Sequence, residues 1–272
     1  MKHYQIGDFA RHMGVTADFL KHYEKAGLID VKPMENGYRS YPFDQSGYII
    51  GYQRLKNYGV TIREIKEHLE STEDCIMHLL DDKVEAMKTE ALRLESVIEE
   101  HERLKIWFQA RKEKPVDWEV KRIEPICFLA HTDSQDFRQE DGMHEILPAW
   151  VSWMPVTKST LSVEFTPEGE DNRIHWGFAV PESQLKRYNI PRNACVKRFS
   201  LEKAFVYHFS RLEGAFSLEA LARGTHPAFA LMRSLGYDPT GTGLLIRELK
   251  MRSSGSKPDT GLGRFLIPIV SR

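Results

Sequence analysis

Lys21, His22 and Tyr23 stand one after another in a short amphipathic segment, and Tyr38, Arg39 and Tyr41 follow it after a turn. Basic side chains and tyrosine hydroxyls in this pattern suit a polyanion. They donate hydrogen bonds to phosphate oxygens and, from a helix, reach base edges in the major groove of DNA. A second set of chemically capable residues lies far along the chain. Glu248 falls in a half that also carries Trp150, Trp153, Trp176, Phe178, Tyr207 and Phe209. Rings around a concavity bind flat or bulky apolar molecules, and their faces attract cations. A buried carboxylate among them would favour a positive ligand and disfavour an anion.

The elements around the first set read clearly. Ile6, Phe9, Ala10 and Met13 recur at helical spacing. Gly14 permits a turn, Thr16 can cap the next helix, and Phe19, Leu20, Tyr23 and Ala26 supply that helix's inner face. Gly27 ends it, leaving Asp18, Lys21, His22 and Lys25 outward. Asn36-Gly37 favours a tight hairpin whose wing carries Tyr38, Arg39 and Tyr41. Helix, turn, helix and wing in register spell a winged helix-turn-helix, a unit that holds a helix against double-stranded DNA. Thr16, Lys21, His22, Tyr23, Tyr38, Arg39 and Tyr41 are its expected DNA-contacting residues.

These motifs resemble the DNA-binding domain of MerR-family transcription regulators over about the first seventy residues. The family's features appear as Ile6-Gly7-Asp8, Leu20-Lys21-His22-Tyr23-Glu24, Gly27-Leu28-Ile29, Gly37-Tyr38-Arg39-Ser40-Tyr41 and Gly59-Val60-Thr61-Ile62-Arg63-Glu64-Ile65. The recognition helix departs from the family pattern by carrying Lys21 where arginine is usual. Lysine cannot make arginine's planar bidentate contact, which shifts expected readout toward His22 or DNA shape.

The bulk composition neither adds to this nor removes it. Of 272 residues, 38 are basic and 39 acidic, so any attraction to DNA must come from a local surface. The start is polar, so no signal peptide is expected, and no apolar run is long enough to span a bilayer. Cys75, Cys127 and Cys195 are too few and too scattered for a disulfide framework, and a reducing cytoplasm fits best.

Further elements follow in order. Residues 43–58 read as a helix, and Thr61 with Glu64 forms a capping-box signature for the next. Residues 76–112 read as one long helix without Gly or Pro. Leu80, Val84, Met87, Ala91, Leu94 and Ile98 step by four and three, the spacing of a heptad seam. The MerR resemblance implies an antiparallel homodimer along this seam, and a dimer would present two recognition helices to two half-sites of a palindrome. Past Lys114-Pro115 the texture changes. Strands are predicted over 120–130, 161–165, 174–180, 204–209, 244–251 and 265–270, with helices over 142–153 and 218–235. The expected fold class is α+β multidomain: a winged helix-turn-helix over 1–74, a coiled-coil dimerisation helix over 75–114, and a curved antiparallel sheet with helices over 115–272.

The last region resembles, more loosely, the gyrase-inhibitor-like effector domain of multidrug-sensing MerR regulators, carried by the order of its elements and by Leu244-Leu-Ile-Arg-Glu248-Leu249. That resemblance implies a pocket in which Glu248 pairs with a cationic drug among aromatic rings. Two features qualify it. Trp176–Phe178 and Tyr207–Phe209 are each pairs on one strand face, an arrangement equally suited to plain core. Arg264 stands where related domains often place an acidic residue, so it could neutralise Glu248 or favour a neutral or anionic ligand, and Arg247 or a neighbouring arginine could hold Glu248 in an ion pair.

The reading is a ligand-responsive transcription activator, cytoplasmic and homodimeric, with a small-molecule inducer that is apolar or aromatic and of open charge. The resemblance implies promoters with an over-long spacer, which the ligand-bound protein bends and untwists into alignment for RNA polymerase. No cofactor, metal, membrane or catalytic residue is expected. Metal sensing lacks a cysteine pair: Cys75 stands at the start of the dimer helix, but no cysteine lies between it and Cys127. A hydrolase using Glu248 as base is the other alternative, opposed by the fused DNA reader, since turnover would destroy the signal.

Overall fold

The computed structural model describes residues 2–33, 39–114, 116–133, 136–166, 171–252 and 260–271. Two compact units divide the chain, Met1–Leu92 and Arg93–Arg272. The boundary falls inside the long helix rather than at residue 74, because the first turns of that helix pack on the first unit's core through Leu79 and Leu80.

The first unit holds β1 (His3–Gln5), α1 (Ile6–Met13), α2 (Ala17–Lys25), β2 (Lys32–Pro33), β3 (Arg39–Pro42), α3 (Gln45–Asn57), α4 (Ile62–Glu67) and the start of α5 (Glu73–Ala110). Gly14 and Gly27 close α1 and α2 with φ of 65° and 73°, left-handed values that side chains resist. Thr16 Oγ1 accepts from the Phe19 amide, and Thr61 with Glu64 forms the expected capping box at α4. Phe9, Phe19, Leu20, Tyr23, Leu28, Tyr41 and Ile49 make a single buried cluster. The three short strands pair antiparallel in the order β1-β3-β2. The Asn36-Gly37 hairpin tip lies outside the described residues.

The rest of α5 belongs to the second unit, followed by β4 (Val116–Ala130), β5 (Thr132–Asp133), β6 (Asp136–Phe137), α6 (Asp141–Ser152), β7 (Lys158–Glu164), β8 (Arg173–Pro181), α7 (Glu182–Arg187), β9 (Val196–Glu213), α8 (Leu218–Ala222), α9 (Pro227–Ser234), β10 (Tyr237–Pro239), β11 (Thr242–Met251) and β12 (Thr260–Ser271). Among the described residues its main sheet has seven strands in the order β10-β12-β11-β7-β8-β4-β9. An additional β12–β9 pairing joins the two sides, so the antiparallel sheet closes on itself as a barrel. The helix predicted over 218–235 is interrupted instead. Gly224, with a φ of 63°, ends the first piece, and His226-Pro227 starts the second with proline at its first turn.

Alternation along the strands sorts the unit into two layers. Phe205, Tyr207, Phe209, Leu245, Phe265 and Ile267 face one way and pack with Leu221, Phe229 and Met232 of α8 and α9. Ala204, Val206, Leu244, Ile246 and Leu266 face the other way and pack with Ile126, Phe128 and Ala179.

At Gly177 the sheet is too tight for any side chain, since a Cβ there would stand 2.1 Å from the Leu129 carbonyl oxygen and 2.9 Å from Phe128 Cζ. Gly177→Ala is expected to destabilise the second unit by about 1–3 kcal/mol, as overpacking does. All five tryptophans lie in that unit, so a urea titration followed by their fluorescence checks it. Wild-type stability in the variant would contradict the close approach.

Candidate functional site

The helix-turn-helix surface is built from α2 outward. Phe19, Leu20 and Tyr23 are buried and anchor the helix, with Phe19 and Tyr23 stacked at 4.2 Å and Tyr23 and Tyr52 at 5.5 Å. Lys21, His22 and Lys25 are exposed on the opposite side, and Lys21 reaches Asp18 at 3.1 Å. In β3, Arg39 is half-exposed and pairs with Glu24 at 3.2 Å. Tyr38 lies outside the described residues.

Two residues expected on this surface are corrected. Tyr23 is 3% exposed and Tyr41 is 0% exposed, so both belong to the core. Tyr41 stacks on Phe9 at 5.5 Å and donates its hydroxyl to Glu24 Oε2 at 3.2 Å. Burial, then the neighbouring Glu24 carboxylate, push its pKa up to about 12. A tyrosine spent on packing and on holding Glu24 has no donor left for phosphate. The structural role of Tyr41 is to fix the carboxylate that Arg39 meets.

The second unit contains a cavity of about 550 Å³, within the usual size range for small-molecule sites. One wall is the last third of α5. Glu100, Arg103, Leu104 and Trp107 sit at helical spacing and all face inward. The other walls include Ile123 and Ile126 of β4, Lys158 of β7, Val180 of β8, Gln184 of α7, His208 of β9, Glu248 of β11 and Arg264 of β12.

Glu248 is therefore in the cavity as expected from the sequence, but it is not free. Its side chain is 6% exposed, with Lys158 Nζ 2.7 Å from Oε2 and Arg264 Nη2 3.0 Å from Oε1. Burial pushes its carboxyl up, yet the charges and hydrogen bonds of Lys158 and Arg264 outweigh this and hold it below the ordinary carboxylate range. Arg247, the alternative partner, points to the other sheet face, over the ring of Phe216. A carboxylate held anionic by two cations is a weaker general base than a free one.

The six rings expected around Glu248 are elsewhere, and that expectation is corrected. Tyr207 and Phe209 are core residues on the sheet face that α8 and α9 cover. Trp176 packs against the same core, donates to Ser159 Oγ at 2.8 Å, and has the Phe178 ring 5.8 Å away. Trp150 is fully buried and donates to the Pro191 carbonyl at 2.8 Å, and Trp153 stacks on Tyr188 at 4.9 Å. None of the six lines the cavity. Strand alternation is the reason on β9: Val206 and His208 reach the cavity, so Tyr207 and Phe209 cannot. The indole that does line it is Trp107, which was not among the expected rings. Its signal was the spacing of Glu100, Arg103, Leu104 and Trp107, a second stripe beside the heptad seam.

Trp107 Nε1 donates to His208 Nδ1 at 3.1 Å. Indole is a donor only, so Nδ1 must accept and the ring proton sits on Nε2, donating to Glu119 Oε1 at 3.1 Å. Burial holds the His208 pKa down at about 4 against the pull of Glu119, with Arg111 and Arg264 also lowering it. The unfolded chain therefore takes a proton that the folded one refuses. Stability is fully present above the ordinary value of 6.5 and falls as pH drops from there toward 4. The loss amounts to roughly 3 kcal/mol per such histidine. His226, buried in the core and likewise held at about 4, contributes in the same window. His208→Gln keeps an acceptor for Trp107 and a donor for Glu119, and it should flatten part of the decline in urea stability between pH 7 and 5. An unaltered decline would show that His208 is not the group refusing the proton.

Among the described residues no group of three potential metal ligands occurs, and no helix is long and apolar enough to cross a membrane.

Comparison with known proteins adds the following. The family described as MerR HTH family regulatory protein matches residues 4–72. No curated protein matches the chain. A transcriptional regulator of the MerR family from Bacillus cereus is similar at 24% identity over 40% of this chain and 84% of its own, with a TM-score of 0.35. EcmrR, in a complex with DNA, is similar at 17% identity over 99% of this chain and 100% of its own, with a TM-score of 0.34. A hydrolase from Listeria innocua is similar at 12% identity over 59% of this chain and 98% of its own, with a TM-score of 0.32. With TM-scores this low, none of the three likenesses bears on what the chain does. The family match does, and it coincides with the glycine-closed helix pair and three-stranded sheet described above: residues 4–72 are a domain of the MerR helix-turn-helix family of regulatory proteins.

Proposed function

We propose that the protein is a ligand-responsive transcription regulator that grips duplex DNA as a homodimer. The observation that carries this reading is the outward face of α2, where Lys21, His22 and Lys25 stand exposed on a helix anchored by its buried side in a MerR-type domain. In this reading α2 enters the major groove, and Arg39, beside it on β3, meets a flanking phosphate. The protein works in the cytoplasm, where RNA polymerase and the promoter are, and without turnover.

The homodimer is supported by exposure along α5. Met87, Leu94 and Ile98 are 44%, 50% and 63% exposed although apolar, and Ala91 is exposed between them. The buried positions of the helix are Ser96 and Glu100, on a different stripe. One stripe thus serves the chain's own cavity, and of the heptad seam Leu80, Val84, Met87, Ala91, Leu94 and Ile98 the exposed part from Met87 to Ile98 is left for a second copy, while Leu80 also packs on the first unit's core. Antiparallel pairing on this seam is the arrangement proposed, with the two DNA-binding domains engaging two halves of a palindrome.

The cavity is the proposed effector site of a gyrase-inhibitor-like domain. It takes one wall from α5, a helix continuous from Glu73 to Ala110. A ligand that packs on Trp107 and Leu104 can therefore favour one disposition of that helix over another. Only such differential affinity can shift the protein between a relaxed and a DNA-distorting state. Distorting a promoter-sized site costs of order 1–6 kcal/mol, which a ligand with modest differential affinity can supply.

Two measurements test this. Arg39→Ala should weaken binding to the duplex upstream of the protein's own gene and lower the salt slope by about 1, one phosphate contact. Fluorescence anisotropy across a salt series reads both, and an unchanged slope would remove Arg39 from the interface. Leu94→Glu with Ile98→Glu should convert a dimer to a monomer in sedimentation velocity. Persistence of a dimer would place the self-association surface elsewhere.

A further inference from the structure

The cavity's charges form a closed set. Lys158 Nζ lies 3.1 Å from Glu100 Oε2 and 2.7 Å from Glu248 Oε2, so one ammonium bridges two carboxylates that are 5% and 6% exposed. The remaining oxygens are taken too. Glu100 Oε1 accepts from Gln184 Nε2 at 2.8 Å and meets Arg103, and Glu248 Oε1 meets Arg264. The other lining charges are likewise engaged. Arg187 forks onto Glu99 with both contacts at 2.8 Å, Lys121 pairs with Glu119 at 2.6 Å, and Glu124 accepts from Ser183 at 2.7 Å. The buried carboxylates of the lining, Glu100 and Glu248, are thus both engaged by cations, and Glu124 is an exposed carboxylate at the rim. The apolar wall includes Leu104, Trp107, Ile123, Val180, Ile246 and Leu266. Two buried polar atoms on the lining have no hydrogen-bond partner among the described residues, Gln184 Oε1 and Arg264 Nε.

We propose that Lys158 is a built-in counter-cation and that the cavity consequently selects an uncharged aromatic or apolar ligand. This rests on the reading of the cavity as the effector site and names the chemistry it accepts. An incoming monocation finds both carboxylates occupied by an ammonium tethered to β7, which it must displace and which then repels it. An incoming anion must draw Lys158 or Arg264 away from Glu100 and Glu248 and is repelled by those two buried carboxylates. A neutral molecule meets neither cost. It gains apolar contact with Trp107 and Leu104. Lys158 is thus the specificity-determining residue, and removing its charge should open the site to cations.

Three probes of nearly one shape separate the charges: triphenylphosphine oxide (neutral), methyltriphenylphosphonium (cation) and triphenylacetate (anion). Each is titrated into the full chain by calorimetry and by quenching of tryptophan fluorescence, with Trp107→Phe as the check that the signal arises in the cavity. Wild type should bind the oxide at least about tenfold more tightly than either ion. Lys158→Met should raise affinity for the phosphonium by at least about tenfold while moving the oxide by less than about threefold. Lys158→Gln should show the same reversal, which covers a folding failure of the first variant, and adding Glu248→Gln should cancel it. Wild type binding the phosphonium as tightly as the oxide, or an unchanged preference in both lysine variants, overturns the proposal while leaving the cavity as effector site. Failure of all three probes to bind wild type and variants overturns both.

Discussion

The pairing of β9 with β4 on one side and β12 on the other is the constraint from which the second unit follows. Two ladders fix the pleat of β9, and the pleat sends neighbouring residues to opposite faces. Phe205, Tyr207 and Phe209 are committed to the core under α8 and α9, and Val206 and His208 to the cavity. A slip by one residue would put three rings in the cavity and a histidine in the core. Closure of the sheet makes such a slip costly, because register must be kept on both edges at once.

On the cavity side the same geometry concentrates charge. β7, β11 and β12 bring Lys158, Glu248 and Arg264 together, and α5 adds Glu100. These four groups compensate one another within an otherwise largely apolar cavity. Each buried carboxylate has two cationic partners, so removing Lys158 weakens the compensation of Glu100 and Glu248 while leaving each one cation, Arg103 or Arg264. The chain Glu100–Lys158–Glu248–Arg264 also ties the end of α5 to three strands. Whatever enters the cavity acts on a helix already held by ion pairs, beside an indole oriented by His208.

In the first unit the legible features were the local ones. Gly14, Gly27, Thr16 and the Thr61–Glu64 box act on backbone groups within a few residues, and each does in the structure what its type and position suggested. Helical spacing likewise located the long helix to within a few residues of Glu73–Ala110. Tyr23 and Tyr41 misled for a related reason. A tyrosine offers a ring for packing and a hydroxyl for bonding, and the pattern of a wing does not say which is used. The partners decide: Phe9, Phe19, Tyr52 and Glu24 come from other segments.

The sequence by itself determined the order and kind of most elements, the MerR-type domain and the placement of Glu248 on a strand, because periodicity, caps and turns are written in neighbouring residues. It did not determine which of many rings would meet Glu248. Trp150, Trp153, Trp176, Phe178, Tyr207 and Phe209 looked available, and Trp107 alone reached the cavity. Nor did it determine the charge state of the site, since Lys158 and Arg264 lie 90 and 16 positions from Glu248 and meet it only through the ladders of β7 and β12 with β11. Contacts of that kind depend on which strands pair and in what register, and only the closed sheet supplies both.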